Sequence, residues 1–108
     1  MATLVFDQEY RIARDTPSDI NEHIEVLKNL ADSVDHVTEM GTRTGVSTRA
    51  FLAADVTLRA YDLFLDEYVS KLFELAQKEG KDAKYIGANV LETEIDETDL
   101  LFIDTWHC

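Results

Sequence analysis

Cysteine, proline and glycine are all scarce in this chain of 108 residues, which has one cysteine, one proline and four glycines. The single cysteine, Cys108, excludes an internal disulfide framework and a zinc site made of several cysteines. A content of 45% hydrophobic residues, with so little proline and glycine, argues against an intrinsically disordered chain. The length predicts one domain, residues 1–108, with a modest core.

Basic residues are also few, since 10 Lys and Arg stand against 22 Asp and Glu and give a net charge of −12. The acidic residues are dispersed along the chain, so the surface should repel nucleic acid phosphates, and no nucleic acid partner is expected. No apolar run approaches 18 residues, and the first ten residues contain Asp7 and Glu9. We therefore expect no membrane partner and a cytoplasmic location. The acidity either serves solubility alone or favours a cationic ligand.

Helical and strand patterns alternate along the chain. Ile24, Leu27 and Ala31 recur at helical spacing behind a helix start at Ser18, and we expect them to face a sheet. The four apolar residues 100–103 are unbroken, which is typical of a strand buried on both faces. The patterns predict helices over 19–33, 46–54 and 66–78, strands over 37–40, 56–62, 84–87 and 100–103, and a short helix over 6–14.

Strands that alternate with helices imply right-handed crossovers and a parallel sheet. The predicted fold class is α/β, with a Rossmann-like parallel sheet of about four strands and flanking helices. Residues 1–17 are expected to form an amino-terminal cap segment over the ligand edge of this sheet.

The segment 36–48 predicts a strand, a glycine turn and a helix start. Gly41 and Gly45 allow the backbone to turn sharply and to approach a ligand closely. Glu39 precedes them at the carboxyl end of the strand, where open α/β sheets bind ligands. Dinucleotide folds instead use three glycines against pyrophosphate, which a neighbouring carboxylate would repel. A carboxylate beside a cationic ligand is reasonable, and a tight turn between strand and helix without a ligand is the alternative.

The pattern Glu39-x-Gly41-x-x-x-Gly45 resembles the first motif of the class I S-adenosylmethionine-dependent methyltransferases, in particular small-molecule O-methyltransferase-like and phage-type members. The resemblance implies that the turn packs under the methionine part of S-adenosylmethionine, with Arg43 and Thr44 bonded to its carboxylate. The cofactor-binding residues implied in this segment are Glu39, Gly41, Thr42, Arg43, Thr44, Gly45 and Ser47.

Two later positions continue the pattern. Asp62 ends the second strand, 23 positions after Glu39, where a carboxylate can accept hydrogen bonds from ribose hydroxyls. NAD-binding proteins use the same device, and an acid that merely opens a loop is the alternative. Asn89 follows the third strand where the family carries an acid near the adenine. An amide can also pair with adenine, although Asn is common in turns.

The segment 99–107 resembles the family's fourth strand and the Asp-x-x-His motif that follows it. Asp104 and His107 are therefore the predicted catalytic residues, which would orient or deprotonate a methyl acceptor. In metal-dependent O-methyltransferases this edge also binds a divalent cation. Two residues do not make a metal site, so a cation stays an open alternative and no metal ligand is assigned.

The resemblance runs from Ser18 to the end of the chain and corresponds to the first half of the family's fold. In the family's strand order the third strand lies at one edge, followed by the second, the first and the fourth. The strand over 100–103 would then be an open edge. We therefore expect either a second copy of this chain or a missing carboxyl-terminal half as partner.

The predicted function is methyl transfer from S-adenosylmethionine to an oxygen or nitrogen of a small-molecule acceptor. Three alternatives remain on the sequence alone. They are a non-catalytic module that binds a nucleoside or S-adenosylmethionine, half of a nicotinamide-dependent oxidoreductase, and an acidic interaction protein without a ligand. Glu39 and the missing third glycine disfavour the oxidoreductase.

Overall fold

The computed structural model describes residues 4–18, 20–89, 94–95 and 97–103. Within them there are four α-helices and four strands, and after the first two helices strands and helices alternate as far as the third strand. The elements are α1 (Leu4–Asp15), a 3₁₀ turn (Asn21–His23), α2 (Ile24–Asp32), β1 (His36–Met40), α3 (Val46–Ala53), β2 (Thr57–Asp62), α4 (Glu67–Lys78), β3 (Ala83–Gly87) and β4 (Leu100–Ile103).

The strands form one sheet in the order β3-β2-β1-β4, and every neighbouring pair is parallel. This confirms the predicted fold class and strand order. Met40 and Tyr61 are register partners, so β1 and β2 end side by side. The amide of Gly41 continues the ladder by donating to the Tyr61 carbonyl at 2.7 Å. The glycine turn after β1 therefore lies beside Asp62 at the end of β2.

The core lies on one face of the sheet. Val37, Leu58, Ala60 and Ala83 alternate with outward-facing residues and belong to the same buried cluster as side chains from all four helices. Burying a large aliphatic side chain contributes about 1.5–3 kcal/mol, so this cluster fixes how the helices sit on the sheet. It also fixes the positions of the loops that leave the carboxyl ends of the strands.

The first helix is longer than predicted and packs along α3. Its Phe6 ring is fully buried, and the Lys81 ammonium lies 5.7 Å from the ring centroid, next to the amino end of β3. The residues that reach the ligand edge are those after the helix, Ser18 and Ile20, which line a cavity at the glycine turn.

The second helix begins later than predicted. Ser18 does not start a continuous α-helix, because its amide donates to Asn21 Oδ1 at 3.0 Å and its hydroxyl accepts from the Ile20 amide at 3.3 Å. Asn21 Nδ2 also donates to the Arg14 carbonyl at 3.3 Å, which ties the segment to the end of α1. These local bonds produce a 3₁₀ turn before α2, while Asp19 lies outside the described residues.

Strand β4 is exposed on one face, so the expectation of burial on both faces is wrong for the described residues. Leu101 and Ile103 are 43% and 61% exposed. Leu100 and Phe102 face the helices, where Phe102 packs edge-on against Phe51 with ring centroids 5.6 Å apart. In the described part of the chain β4 pairs with β1 alone, as expected for an edge strand.

Candidate cofactor-binding site

The turn between β1 and α3 needs glycine at two places. Gly41 and Gly45 have φ of +90° and +88°, in the left-handed region that other residues rarely adopt. A Cβ on Gly45 would also lie 2.8 Å from Val69 Cγ2, so this residue lets α3 and α4 approach closely. The turn closes through a 2.9 Å bond from the Gly45 amide to the Thr42 carbonyl. The backbone of Arg43 is also in the left-handed region, with φ of +51°, although Arg43 is not a glycine.

Glu39 is fully buried beneath the turn. The hydroxyl of Ser47 donates to its Oε2, and the hydroxyl of Thr48 donates to its Oε1 at 2.8 Å. Both donors belong to the first turn of α3, where the helix dipole also stabilises a negative charge. Glu39 therefore joins the end of β1 to the start of α3. Thr48 is a site residue that the sequence analysis missed, although it adjoins Ser47.

Asp62 lies next to the turn and holds it in place. Its Oδ2 accepts from the amides of Thr42 at 2.9 Å and Arg43 at 3.1 Å, and from the Thr42 hydroxyl at 3.2 Å. Its Oδ1 accepts from the Phe64 amide at 3.3 Å. The hydrogen bond from the Arg43 amide to Asp62 helps to stabilise the left-handed backbone conformation of Arg43. The sequence predicted the closeness of Asp62 to the turn but not these bonds.

Tyr85 on β3 contacts both loops. Its hydroxyl pairs with Thr42 Oγ1 at 2.9 Å and accepts from the Asp66 amide at 3.0 Å. Its ring stacks on Phe73 of α4, with centroids 5.2 Å apart. Sequence reasoning missed Tyr85, because only the sheet register brings the middle of β3 next to the glycine turn and to Asp66, which caps the amino end of α4.

A cavity of about 90 Å³ opens at the turn and at the amino end of α3. Its size suits one end of a ligand, since whole cofactor pockets have about 300–1,000 Å³. The free amides and the dipole of a helix amino terminus favour a carboxylate there. Its wall includes Ser18, which the sequence analysis took as a helix start, and Ile20, which it placed in that helix. The lining residues are Ser18, Ile20, Thr42, Arg43, Thr44, Val46 and Ser47.

An exposed apolar loop follows Asp62 at the same edge. Leu63, Phe64 and Leu65 are 58%, 80% and 53% exposed, although large apolar side chains are seldom grouped in water without a reason. Leu65 lies close to Gly87, where an added Cβ would be 3.5 Å from Leu65 Cγ. We define Leu63–Leu65 as the apolar loop. The sequence analysis missed this run of three apolar residues after a strand.

Asn89 lies two residues beyond the end of β3, and its side chain is exposed. The amide of Ala88 donates to the Asp62 carbonyl at 2.9 Å, which keeps the two strand ends together. Asn89 therefore shares the carboxyl edge with Asp62 and the glycine turn. Its assignment to the adenine stays a prediction.

The predicted catalytic residues Asp104 and His107 lie outside the described residues. Among those that the structure describes, no group of three or more His, Cys, Asp or Glu side chains is placed to hold a metal ion. No helix in the described ranges is long and apolar enough to cross a membrane.

A second cavity, of about 360 Å³, lies at the opposite side of the sheet, where the strands begin. Asp35, Asp55, Glu79 and Asp82 line it together with Lys81. These residues lie at the amino ends of strands, whereas open α/β sheets bind ligands at the carboxyl ends. The smaller cavity at the glycine turn is therefore the better candidate for a cofactor.

Comparison with known proteins gives similarity in structure only. No family model and no curated protein matches the sequence. A methyltransferase of Podospora anserina, solved with S-adenosylhomocysteine bound, superposes with a TM-score of 0.57 at 17% identity, over 95% of this chain and 50% of that one.

Two further solved structures are similar to a comparable extent. One is assigned as an O-methyltransferase of Klebsiella pneumoniae, with a TM-score of 0.58 at 20% identity, over 97% of this chain and 55% of that one. The other is assigned as an RNA methyltransferase of Pyrococcus horikoshii, with a TM-score of 0.58 at 19% identity, over 96% of this chain and 59% of that one.

The chain thus spans between half and three fifths of the length of these structures. Structural similarity at identities of 17–20% establishes the fold but not the substrate. Together with the strand order β3-β2-β1-β4 and the glycine turn beside Asp62, they identify the architecture. The chain has the Rossmann-like fold of the class I S-adenosylmethionine-dependent methyltransferases.

Proposed function

We propose that this chain binds S-adenosylmethionine at the carboxyl edge of its sheet and serves the transfer of the methyl group to an oxygen or nitrogen of a small molecule. The observation that carries the proposal is the contact between the glycine turn and Asp62, next to a cavity at the amino end of α3. That arrangement offers a place for the amino acid end of the cofactor and a carboxylate for its ribose.

The methionine end would occupy the cavity of about 90 Å³. Its carboxylate is suited to the amino end of α3 and to the positive charge of Arg43, an exposed residue that lines the cavity. Its ammonium group is suited to the negative potential of Glu39 below the turn. Because Ser47 and Thr48 already bond the Glu39 carboxylate, Glu39 would act mainly through its charge and through the shape of the turn.

The ribose hydroxyls would donate to the carboxylate of Asp62. Oδ2 of Asp62 already has three donors from the turn, whereas Oδ1 has one long bond from the Phe64 amide. A carboxylate oxygen has about two lone-pair sites, so Oδ1 retains capacity for a ribose hydroxyl. The adenine would then lie towards Asn89 and the apolar loop, where burial of Leu63 or Phe64 against the purine would be favourable.

When bound, S-adenosylmethionine supplies an electrophilic methyl group on its sulfonium, so the protein mainly has to align donor and acceptor. The described residues would hold the donor. Asp104 and His107 are proposed to orient or deprotonate the acceptor, and they lie outside the described residues. The net charge of −12 favours an acceptor without phosphates, and therefore a small molecule rather than a nucleic acid.

A non-catalytic S-adenosylmethionine-binding module is the second candidate. The observation in its favour is that the described contacts of the site, those of the glycine turn with Asp62, would all serve the cofactor. Under this alternative the cofactor would bind without turnover. Catalysis would instead require a partner, either a second copy of the chain or a carboxyl-terminal half.

Calorimetric titration with S-adenosylhomocysteine, NAD and ATP tests the proposal. We expect S-adenosylhomocysteine to bind more tightly than either phosphate-bearing ligand, because the acidic chain and Glu39 disfavour phosphates. NAD binding of equal or greater affinity would refute it. Transfer of a labelled methyl group to a panel of small hydroxyl and amine acceptors then separates an enzyme from a binding module.

A further inference from the structure

We propose that Tyr85 is a positioning residue for the cofactor site, acting through Thr42 on Asp62. The inference rests on the proposed function for its ligand, but its structural content does not. Tyr85 belongs to β3, two strands away from the glycine turn, and its hydroxyl lies within hydrogen-bond distance of Thr42 Oγ1 and the Asp66 amide.

The groups at the two ends of this series of hydrogen bonds, the Asp66 amide and the Asp62 carboxylate, determine which atom donates in each bond. The Asp66 amide can only donate, so Tyr85 Oη accepts from it at 3.0 Å. An ionised Asp62 can only accept, so Thr42 Oγ1 donates to Oδ2 at 3.2 Å. With its single proton used in that way, Thr42 Oγ1 must accept from Tyr85. Each of the two hydroxyls then accepts one hydrogen bond and donates one. Donation therefore runs in one direction, from the Asp66 amide to the Asp62 carboxylate.

The position of Tyr85 is itself fixed. Its ring stacks on Phe73 at an interplanar angle of 16°, and Phe73 is 2% exposed. Thr42 is also 2% exposed, so water does not readily replace Tyr85 as its partner. The rigid strand β3 therefore sets the rotamer of Thr42 and, through it, the plane of the Asp62 carboxylate.

This geometry has a consequence for ligand binding. Three donors hold Oδ2 of Asp62 towards the turn, which leaves Oδ1, with its one 3.3 Å bond from the Phe64 amide, as the oxygen for a ribose hydroxyl. Loss of the Tyr85 hydroxyl frees Thr42 Oγ1 to rotate and weakens the hold on Oδ2. The carboxylate must then be ordered when the ligand binds, which lowers affinity although Tyr85 does not itself touch the ligand.

Tyr85→Phe tests the proposal, because it keeps the ring on Phe73 and removes only the hydroxyl. We expect the Kd for S-adenosylhomocysteine to rise roughly threefold to tenfold, the range for one net hydrogen bond. Tyr10→Phe is the matched control, since its ring lies against Arg14 of α1 and Lys28 of α2 and Tyr10 is not among the residues that line the cavity at the turn. This control should bind like wild type. Equal affinity of Tyr85→Phe and wild type would overturn the proposal.

A double-mutant cycle with Thr42→Val separates positioning from general weakening of the fold. If Tyr85 acts through Thr42, Tyr85→Phe should add no further loss of affinity in the Thr42→Val background. Additive losses would mean that the two hydroxyls act independently, which contradicts the proposal.

Amide hydrogen exchange of the ligand-free protein tests the same claim without any ligand. The amides of Thr42 and Arg43 donate to Asp62 and not to Tyr85, so their exchange should be several-fold faster in Tyr85→Phe and unchanged in Tyr10→Phe. Unchanged exchange at both amides would overturn the proposal even if S-adenosylhomocysteine binds. Failure of the wild type to bind S-adenosylhomocysteine would refute the proposed function alone.

Discussion

The Thr48 hydroxyl donates to the carboxylate of Glu39 at 2.8 Å, and both side chains are fully buried. With the Ser47 hydroxyl on the other oxygen, the bond satisfies a carboxylate that has been removed from water. A buried charge without such partners is costly. The segment 36–48 therefore has a structural role, in joining β1 to α3, in addition to its proposed role in ligand binding.

Thr48→Val should destabilise the protein by about 1–3 kcal/mol, because a buried carboxylate loses one of its hydrogen-bond donors. The change keeps the shape of the side chain, so packing is nearly constant. Thr16→Val, at an exposed position after α1, is the control and should stay within about 0.5 kcal/mol of wild type. Urea unfolding of both variants measures the difference. Equal stability of the two would show that Glu39 does not depend on Thr48.

Gly45→Ala should destabilise more than Gly80→Ala. Both glycines have φ near +85°, at +88° and +84°, so the conformational cost of about 1–2 kcal/mol is shared. Only Gly45 is also crowded, with its added Cβ 2.8 Å from Val69 Cγ2, whereas nothing lies within 4 Å of the corresponding position at Gly80. Thermal unfolding of the pair isolates the packing contribution. Equal melting temperatures would mean that α3 and α4 can separate without cost.

Much of the architecture could be predicted from the sequence, because alternating apolar patterns determine which elements form. The start of α2 could not, since the Ser18 and Asn21 side chains compete with the helix for local amides. The exposure of Leu101 and Ile103 could not either, because an apolar run does not say whether anything covers its outer face.

The candidate site was predicted in outline. The sequence marks Gly41 and Gly45 as a turn and Asp62 as the end of a strand. The structure brings this turn and Asp62 together at the carboxyl edge of the sheet. Tyr85 has no such pattern, because its role depends on the sheet register and on the stacking with Phe73. Ser18 and Ile20 reach the cavity only through the path of the chain after α1.

Stability should decline between about pH 10 and pH 12 through Tyr68. Burial, and then the hydrogen bond to Glu9, raise the pKa of Tyr68 to about 12. In the unfolded chain the phenol ionises near pH 10, so above that pH the unfolded state has lost a proton that the folded state keeps. The contribution is complete below pH 10 and is lost as the pH approaches 12. Tyr68→Phe should show a shallower decline in melting temperature across that window, and an identical decline would contradict the assignment.

The isolated chain should self-associate through β4. Leu101 and Ile103 are 43% and 61% exposed on an edge strand, which is a template for pairing with another chain. Ile103→Lys should reduce association, while Leu30→Lys, at an exposed apolar position on α2, should not. Sedimentation at tens of micromolar measures the effect. A monomeric wild type with a cooperative melt would show that the edge is stable without a partner.

The titration of S-adenosylhomocysteine into wild type and Asp62→Ala tests the central claim most directly. Asp82→Ala is the matched control, because Asp82 pairs with Arg59 at 2.9 Å at the opposite edge of the sheet and lines no part of the turn. The account predicts binding to wild type and to Asp82→Ala with similar affinity, and a loss of about 1–3 kcal/mol for Asp62→Ala. Equal affinity of all three proteins would contradict a cofactor site at the carboxyl edge beside Asp62.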